Sequence, residues 1–306
     1  MTQDDAERQA ARRAALSPLL ASTEFRPLSA SVKVEIGAHS GRGSSTRLND
    51  DHYLVLHLGR HQQTIATSLS SADLPPTFDE HAYAMLVADG LGEDGAGAVA
   101  SRVSLSTIAH MALHYGQWNL RIDPKTASEI VERAEWFYSR ADAAVANKTR
   151  TSPSLLGMAS ALTMAYTAGD DLFIAHVGHS RVYLFRDGKL IQLTRDQTVA
   201  RKLEAQPSAK TTARAQDLTH ILTDALGAGG SAPEVSIEQY RIIDGDIIML
   251  CTNGLTDALS TEEIAEVLAR RRNPQDTCAT LVQLANEAEG QDSATVVIAQ
   301  YSIPAF

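Results

Sequence analysis

The stretch Met85-Leu86-Val87-Ala88-Asp89-Gly90-Leu91-Gly92 restricts the fold more than any other part of the chain. An apolar run stops abruptly at a carboxylate followed by glycines, and short apolar runs bounded by turn residues read as buried strands. Such a strand delivers Asp89 on rigid backbone to a sheet edge. A carboxylate held out of water is costly unless a cation or hydrogen-bond donors meet it, and a divalent metal is the usual partner. The plainer alternative is that Asp89-Gly90 starts a hairpin turn and nothing more.

Other strand ends repeat the feature. Asn49-Asp50-Asp51 precedes the apolar run Tyr53 to Leu58, Asn253 and Asp257 follow Ile247 to Thr252, and Asp292 precedes Ala294 to Gln300. Hard divalent ions such as magnesium and manganese prefer oxygen ligands, usually a few carboxylates completed by waters. Two such ions close together bridge and deprotonate a water, giving a nucleophile suited to phosphoester hydrolysis. Each acid taken singly also reads as a solvated turn residue. Their recurrence at strand termini favours an oxygen-ligand centre over a zinc site. A formal net charge of -10 suits a protein that gathers cations and argues against a nucleic-acid or anionic-membrane surface.

The 306 residues have ample length for a core, and the composition is that of an ordinary globular protein. No apolar run approaches the roughly 20 residues of a membrane span, and no signal segment opens the chain. Cys251 and Cys278 have neither metal-type nor disulfide-framework spacing, so they are expected to be reduced and packed in a cytoplasmic protein. An alanine-rich peripheral helix is expected over residues 2–16. Ser31 to Gly37 alternates as a half-buried strand, and residues 60–80 look like a long excursion before the Asp89 strand. Apolar residues at helical spacing mark Ala98 to Tyr115 and Ala127 to Val145; their histidines, His110 and His114, are given no role. Short apolar runs at Ala161 to Tyr166, Leu172 to Val177, Val182 to Phe185 and Leu190 to Leu193 suggest an antiparallel meander. A polar helical segment from Asp196 to Glu204, a mobile stretch, and a resumed run from Ile221 to Leu226 come next. Ser260-Thr261-Glu262-Glu263 has the arrangement that starts a helix, and another helix covers Pro274 to Ala288. Antiparallel strands interrupted by two pairs of helices point to an α+β layered sandwich rather than a doubly wound fold.

The ordered set of motifs resembles the metal-dependent serine/threonine protein phosphatases of the 2C type, in their bacterial form, over residues 31 to 301. Asn49-Asp50-Asp51 is similar to the family's first acidic motif, and Val87 to Gly92 to its metal-bridging turn. Ala175-His176-Val177-Gly178-His179-Ser180-Arg181-Val182-Tyr183 is similar to its central hairpin. Leu193 to Gln197 matches the segment entering the flap, Gly245 to Asp257 the later metal motif, and Gln291 to Val297 the last. The resemblance implies a central antiparallel β-sandwich flanked by pairs of helices, with two manganese or magnesium ions in a cleft at one sheet edge. It also implies an N-terminal extension over residues 1–30 and one phosphatase-like domain over 31–303, with a flap near 196–218.

Carried over by position, Asp89 would bridge both ions, the Gly90 carbonyl would hold one, and Asp292 with Asn253 the other. Asp50 or Asp51 would bind directly or through waters. Arg47 would clamp phosphate, with Arg42 as the alternative, because a guanidinium matches phosphate oxygens bidentately. The implied reaction is hydrolysis of phosphoserine and phosphothreonine on proteins by a metal-bridged hydroxide, in signalling opposite a serine/threonine kinase. Several positions depart from the family. His179 stands where an aspartate usually serves an accessory third metal, for which His179 and Asp257 are candidates. Imidazole would suit a softer ion such as zinc there, or His179 merely hydrogen-bonds within the hairpin. Asn253 replaces a metal-binding aspartate and brings no charge. Gln197, Ser160-Ala161, Glu93 and Ser293 also differ, and Glu93 could crowd the site or add an oxygen. These departures favour the alternative of a pseudophosphatase that binds a phosphoprotein or regulatory partner without turnover.

Overall fold

The computed structural model describes residues 31–45, 48–69, 77–116, 124–204, 218–288 and 290–304. The expected helix over residues 2–16 and most of the flap lie outside them. The strands form two antiparallel five-stranded sheets. One runs in the order β1 (Lys33–Gly41), β10 (Ala294–Ser302), β9 (Ile247–Cys251), β6 (Arg181–Arg186), β7 (Lys189–Gln192). The other runs β2 (His52–Gln63), β3 (Thr77–Leu91), β4 (Ala159–Ala168), β5 (Asp171–Val177), β8 (Ser236–Arg241).

Side-chain alternation divides each central strand between two cores. Met85 and Val87 of β3 meet Ile248 and Leu250 of β9 and Val297 and Ala299 of β10 between the sheets. Ala84, Leu86 and Ala88 point the other way, onto Leu105 and Ile108 of α1 (Ala96–Tyr115) and Phe137 and Tyr138 of α2 (Pro124–Thr151). The opposite outer face, with Met249, Cys251, Val296 and Ile298, is covered by α4 (Asn253–Ala258), α5 (Thr261–Ala269) and α6 (Pro274–Glu287). The short helix α3 (Val199–Glu204) lies before the undescribed part of the flap. The result is the expected four-layer αββα arrangement. Ser260 and Glu263 form the capping box of α5. Both cysteines are free and buried. No helix among the described residues is long and apolar enough to cross a membrane.

The alternation also fixes where Asp89 goes. It shares the inner face with Met85 and Val87, paired with Ala161 near the end of the ladder. The aspartate therefore terminates the apolar filling between the sheets.

Four expectations are corrected. Residues 60–80 are not simply an excursion, because β2 and β3 pair continuously out to Gln63 and Thr77. The meander is broken: β4 and β5 belong to one sheet, β6 and β7 to the other. Residues 175–183 are thus a crossing between sheets rather than a hairpin. Gly178 makes the crossing at φ +106°, where an added Cβ would stand 2.4 Å from the Ala161 Cβ. Gln197 secures it, accepting from the Gly178 N–H at 2.8 Å and donating to the Glu234 carbonyl at 2.8 Å. Ile221 to Leu226 forms only isolated bridges, Thr198 with Leu222 and Ser160 with Leu226. The edge strand β8, absent from the sequence reading, pairs with β5.

Candidate metal centre

The acids converge because glycines let backbone segments touch. A Cβ on Gly90 would lie 2.0 Å from the Gly97 carbonyl oxygen and 2.7 Å from that of Asp50. The end of β3, the start of α1 and the Asp50 segment therefore pack main chain to main chain. On the other sheet, a Cβ on Gly254 would lie 2.1 Å from the Ser293 oxygen, and one on Gly43 2.2 Å from the Asp292 oxygen. Any side chain at these positions would push the segments apart.

Each acid is then oriented. Asp50 Oδ1 accepts from the Ala98 N–H at 3.1 Å, at the start of α1, while Ser101 Oγ donates to the Asp50 carbonyl at 2.6 Å. Asp51, 6% exposed, accepts from Thr252 Oγ1 at 2.7 Å. Thr252 Oγ1 in turn accepts from the Thr295 N–H at 3.0 Å, tying the Asp51 carboxylate to β9 and β10. Asp292 Oδ1 accepts from the Ser293 N–H at 2.7 Å. Asp89 is only 5% exposed, and its Oδ2 has no hydrogen-bond partner. The nearest titratable partner is His179, whose Nε2 stands 3.7 Å away and whose imidazole burial pushes down to about 4, leaving it neutral.

The electrostatics arise from this crowding. Burial pushes the Asp89 carboxyl well above the usual carboxylate range, and Asp51, Asp292, Asp50 and Asp257 push it the same way. Burial likewise raises Asp51 to about 7, against the hydrogen bonds from Thr252 and Thr295 and with the charges of Asp292 and Asp50. Burial also raises Asp50 and Asp257. A carboxyl raised on folding stabilises the fold least where it must ionise. For Asp51 the cost is absent below about pH 4, grows as pH rises, and is complete above about pH 7. Buried His176 and His179, each pushed down to about 4, work the other way in the metal-free fold, so the metal response is the measure: manganese will raise the melting temperature more at pH 8 than at pH 5. The reverse order in calorimetry would contradict this arrangement of charges.

The donor set fits a hard cation. A buried carboxylate oxygen without a partner, in a field of negative charge, needs positive charge to be tolerated. Asn253 Oδ1 is a second buried oxygen without a partner, while its Nδ2 donates to Asp257 Oδ2 at 3.2 Å. Among the described residues, no three His, Cys, Asp or Glu side chains stand close enough as placed to enclose an ion. His179 is 5% exposed and its Nδ1 also lacks a partner, so hydrogen bonding within its loop does not account for it. Glu93 is exposed in the turn after β3 and does not plug the acidic cleft. Arg47 lies outside the described residues. Arg42 precedes Gly43, the glycine that touches the Asp292 backbone.

A polar cavity of about 410 Å³ opens against His179, Asn253 and Asp257, and Arg181, Asp196 and Arg201 help to wall it. Arg181 and Asp196 are held together at 2.7 Å. His220, which the sequence reading passed over, also lines the cavity and stands 3.7 Å from Asp257. Thr252 was overlooked too; a hydroxyl at a strand end beside an acidic motif is the signal that could have found it.

A family model for protein phosphatase 2C matches residues 76–291. The serine/threonine protein phosphatase PstP of Mycobacterium tuberculosis is 30% identical over 216 residues, which is 70% of this chain and 40% of PstP. The chain thus spans well under half the length of that relative. The serine/threonine phosphatase stp of Listeria monocytogenes is 28% identical over 217 residues, covering 71% of this chain and 83% of stp. The solved catalytic domain of PstP in complex with two manganese ions superposes with a TM-score of 0.67 at 26% identity, covering 89% of this chain and 99% of that one. With the motif order, the paired sheets and the cleft of acids all in agreement, the chain belongs to the protein phosphatase 2C family.

Proposed function

We propose that this chain hydrolyses phosphoserine and phosphothreonine on proteins with the help of two divalent metal ions. The observation that carries the reading is the Asp89 carboxylate: buried, without a partner at Oδ2, and pressed by four other acids. Asp89, the Gly90 carbonyl, Asp50, Asp51, Asn253 and Asp292 would hold manganese or magnesium. His179 and Asp257 flank the position where a third ion would sit. Bound there, the ions would supply an acidified water and neutralise the oxygens of a phosphoryl group.

The chain's own side chains do the rest. Thr252 and Ala98 hold the Asp51 and Asp50 carboxylates in fixed directions, so little reorganisation accompanies the reaction. Arg47, or Arg42 in its place, would clamp the phosphate, since a guanidinium matches phosphate oxygens bidentately. The cavity beside Asn253 takes the peptide around the phosphorylated residue. A serine/threonine kinase must supply such a substrate, and two buried reduced thiols suit work in the cytoplasm.

Purified chain will hydrolyse p-nitrophenyl phosphate and a phosphothreonine peptide with manganese, and a chelator will stop it. Asn253 and His179 favour the rival, a pseudophosphatase. Phosphopeptide binding with no turnover at saturating manganese would establish that rival instead.

A further inference from the structure

Away from the acids, the β2–β3 ribbon carries an unassigned cluster of imidazoles. Three alternate rungs pair His57 with Tyr83, Gly59 with His81, and His61 with Asp79. Directly opposed residues share a face, as do residues two apart along a strand, so these side chains all project to one side. His57 Nε2 and His81 Nδ1 stand 2.9 Å apart. The His57 ring stacks on Tyr83, with centroids 4.8 Å apart and planes at 12°. A Cβ on Gly59 would come 3.9 Å from His81 Nδ1, so the His81 ring reaches over the glycine towards its diagonal neighbour. His61 and Asp79 form a separate pair at 2.6 Å.

We propose that His57 and His81 form a second metal site, for copper(II) or nickel(II). Imidazole nitrogens lie about 2.0–2.1 Å from such an ion, and two of them at right angles around it are about 2.9 Å apart. The observed separation, that of a ring-to-ring hydrogen bond, is also the spacing of two neighbouring ligands at a right angle. Nitrogen donors suit these ions, whereas manganese and magnesium prefer the oxygens of the acidic centre, so the two sites select different metals. In the metal-free pair one neutral ring donates its hydrogen to the other. On binding, that hydrogen moves to the donor's other ring nitrogen and both facing lone pairs go to the ion.

Tyr83 fixes the plane of the His57 ring, and the missing side chain at Gly59 leaves room for His81. No third His, Cys, Asp or Glu among the described residues completes the group as placed. Water would fill the remaining positions. The ion would staple β2 to β3 in the outer half of the ribbon.

Titration calorimetry of nickel chloride into the full chain, with magnesium saturating the acidic centre, tests this. One ion per chain is expected. His57→Ala and His81→Ala will each weaken binding at least tenfold. Gly59→Val, which keeps both imidazoles but fills the space under His81, will weaken it as well. His110→Ala, on α1, will leave it unchanged. Melting curves without nickel establish that each variant is folded. No binding by the parent, or undiminished binding by the His57→Ala, His81→Ala double variant, overturns the proposal.

Discussion

Asp89→Asn will lower manganese-dependent hydrolysis by at least about a thousandfold and, at the same time, raise the melting temperature of the metal-free protein. The two effects have one origin. Asp89 sits at the end of the inter-sheet core with Asp51, Asp292, Asp50 and Asp257 acting on it, and its Oδ2 receives no hydrogen bond. Ionised, it is a liability to the empty fold that only a cation offsets. An amide of the same shape removes the charge without opening a cavity, so the metal-free variant gains several degrees. The same change takes away the carboxylate proposed to hold both ions, and the melting-temperature rise produced by manganese disappears with the activity. A merely structural aspartate would behave differently: its replacement would lower stability and leave the manganese response intact. Parallel assays of turnover and melting, with and without manganese, separate the cases.

The acidic motifs were legible because a strand end is a local feature. Met85 to Ala88 must be buried, and the chain must turn where a buried run ends. Their meeting was less so: Asp51 touches Thr252 across 201 positions of sequence, through contacts that only the glycines at 90, 97 and 254 permit. The resemblance to a known family supplied that link; periodicity did not. The crossing at Gly178 was misread because a glycine turn between two apolar runs looks alike whether the next strand pairs with the last or leaves for another sheet. The outer half of β2 carries Arg60, Gln62 and Gln63 and is exposed, and the facing part of β3 carries Asp79, Glu80 and His81, so neither showed the apolar alternation that marks a strand. β8 was missed for a related reason. Ser236–Arg241 is a half-exposed edge strand, held by main-chain pairing with β5 rather than by burial of its own side chains.

Asn253→Asp will tighten manganese binding about ten- to a hundredfold while lowering the melting temperature of the metal-free protein by several degrees. Asn253 is buried with its Oδ1 lacking a partner, and its Nδ2 donates to Asp257 at 3.2 Å. A carboxylate there loses that hydrogen bond and faces Asp257 as a like charge, in a cleft where burial already raises Asp257. The metal-free fold therefore weakens. With a divalent ion present the sign reverses, because a charged oxygen attracts the cation more strongly than an amide oxygen does. Each tenfold gain in affinity corresponds to about 1.4 kcal/mol, well within what one added charge supplies at an effective dielectric constant of about 20. Turnover at low manganese will rise in proportion to occupancy, and turnover at saturation will change little. Equal affinity in parent and variant would mean that position 253 does not touch the ion. Activity appearing only in the variant would mean that this single amide had turned a phosphatase into a binding protein.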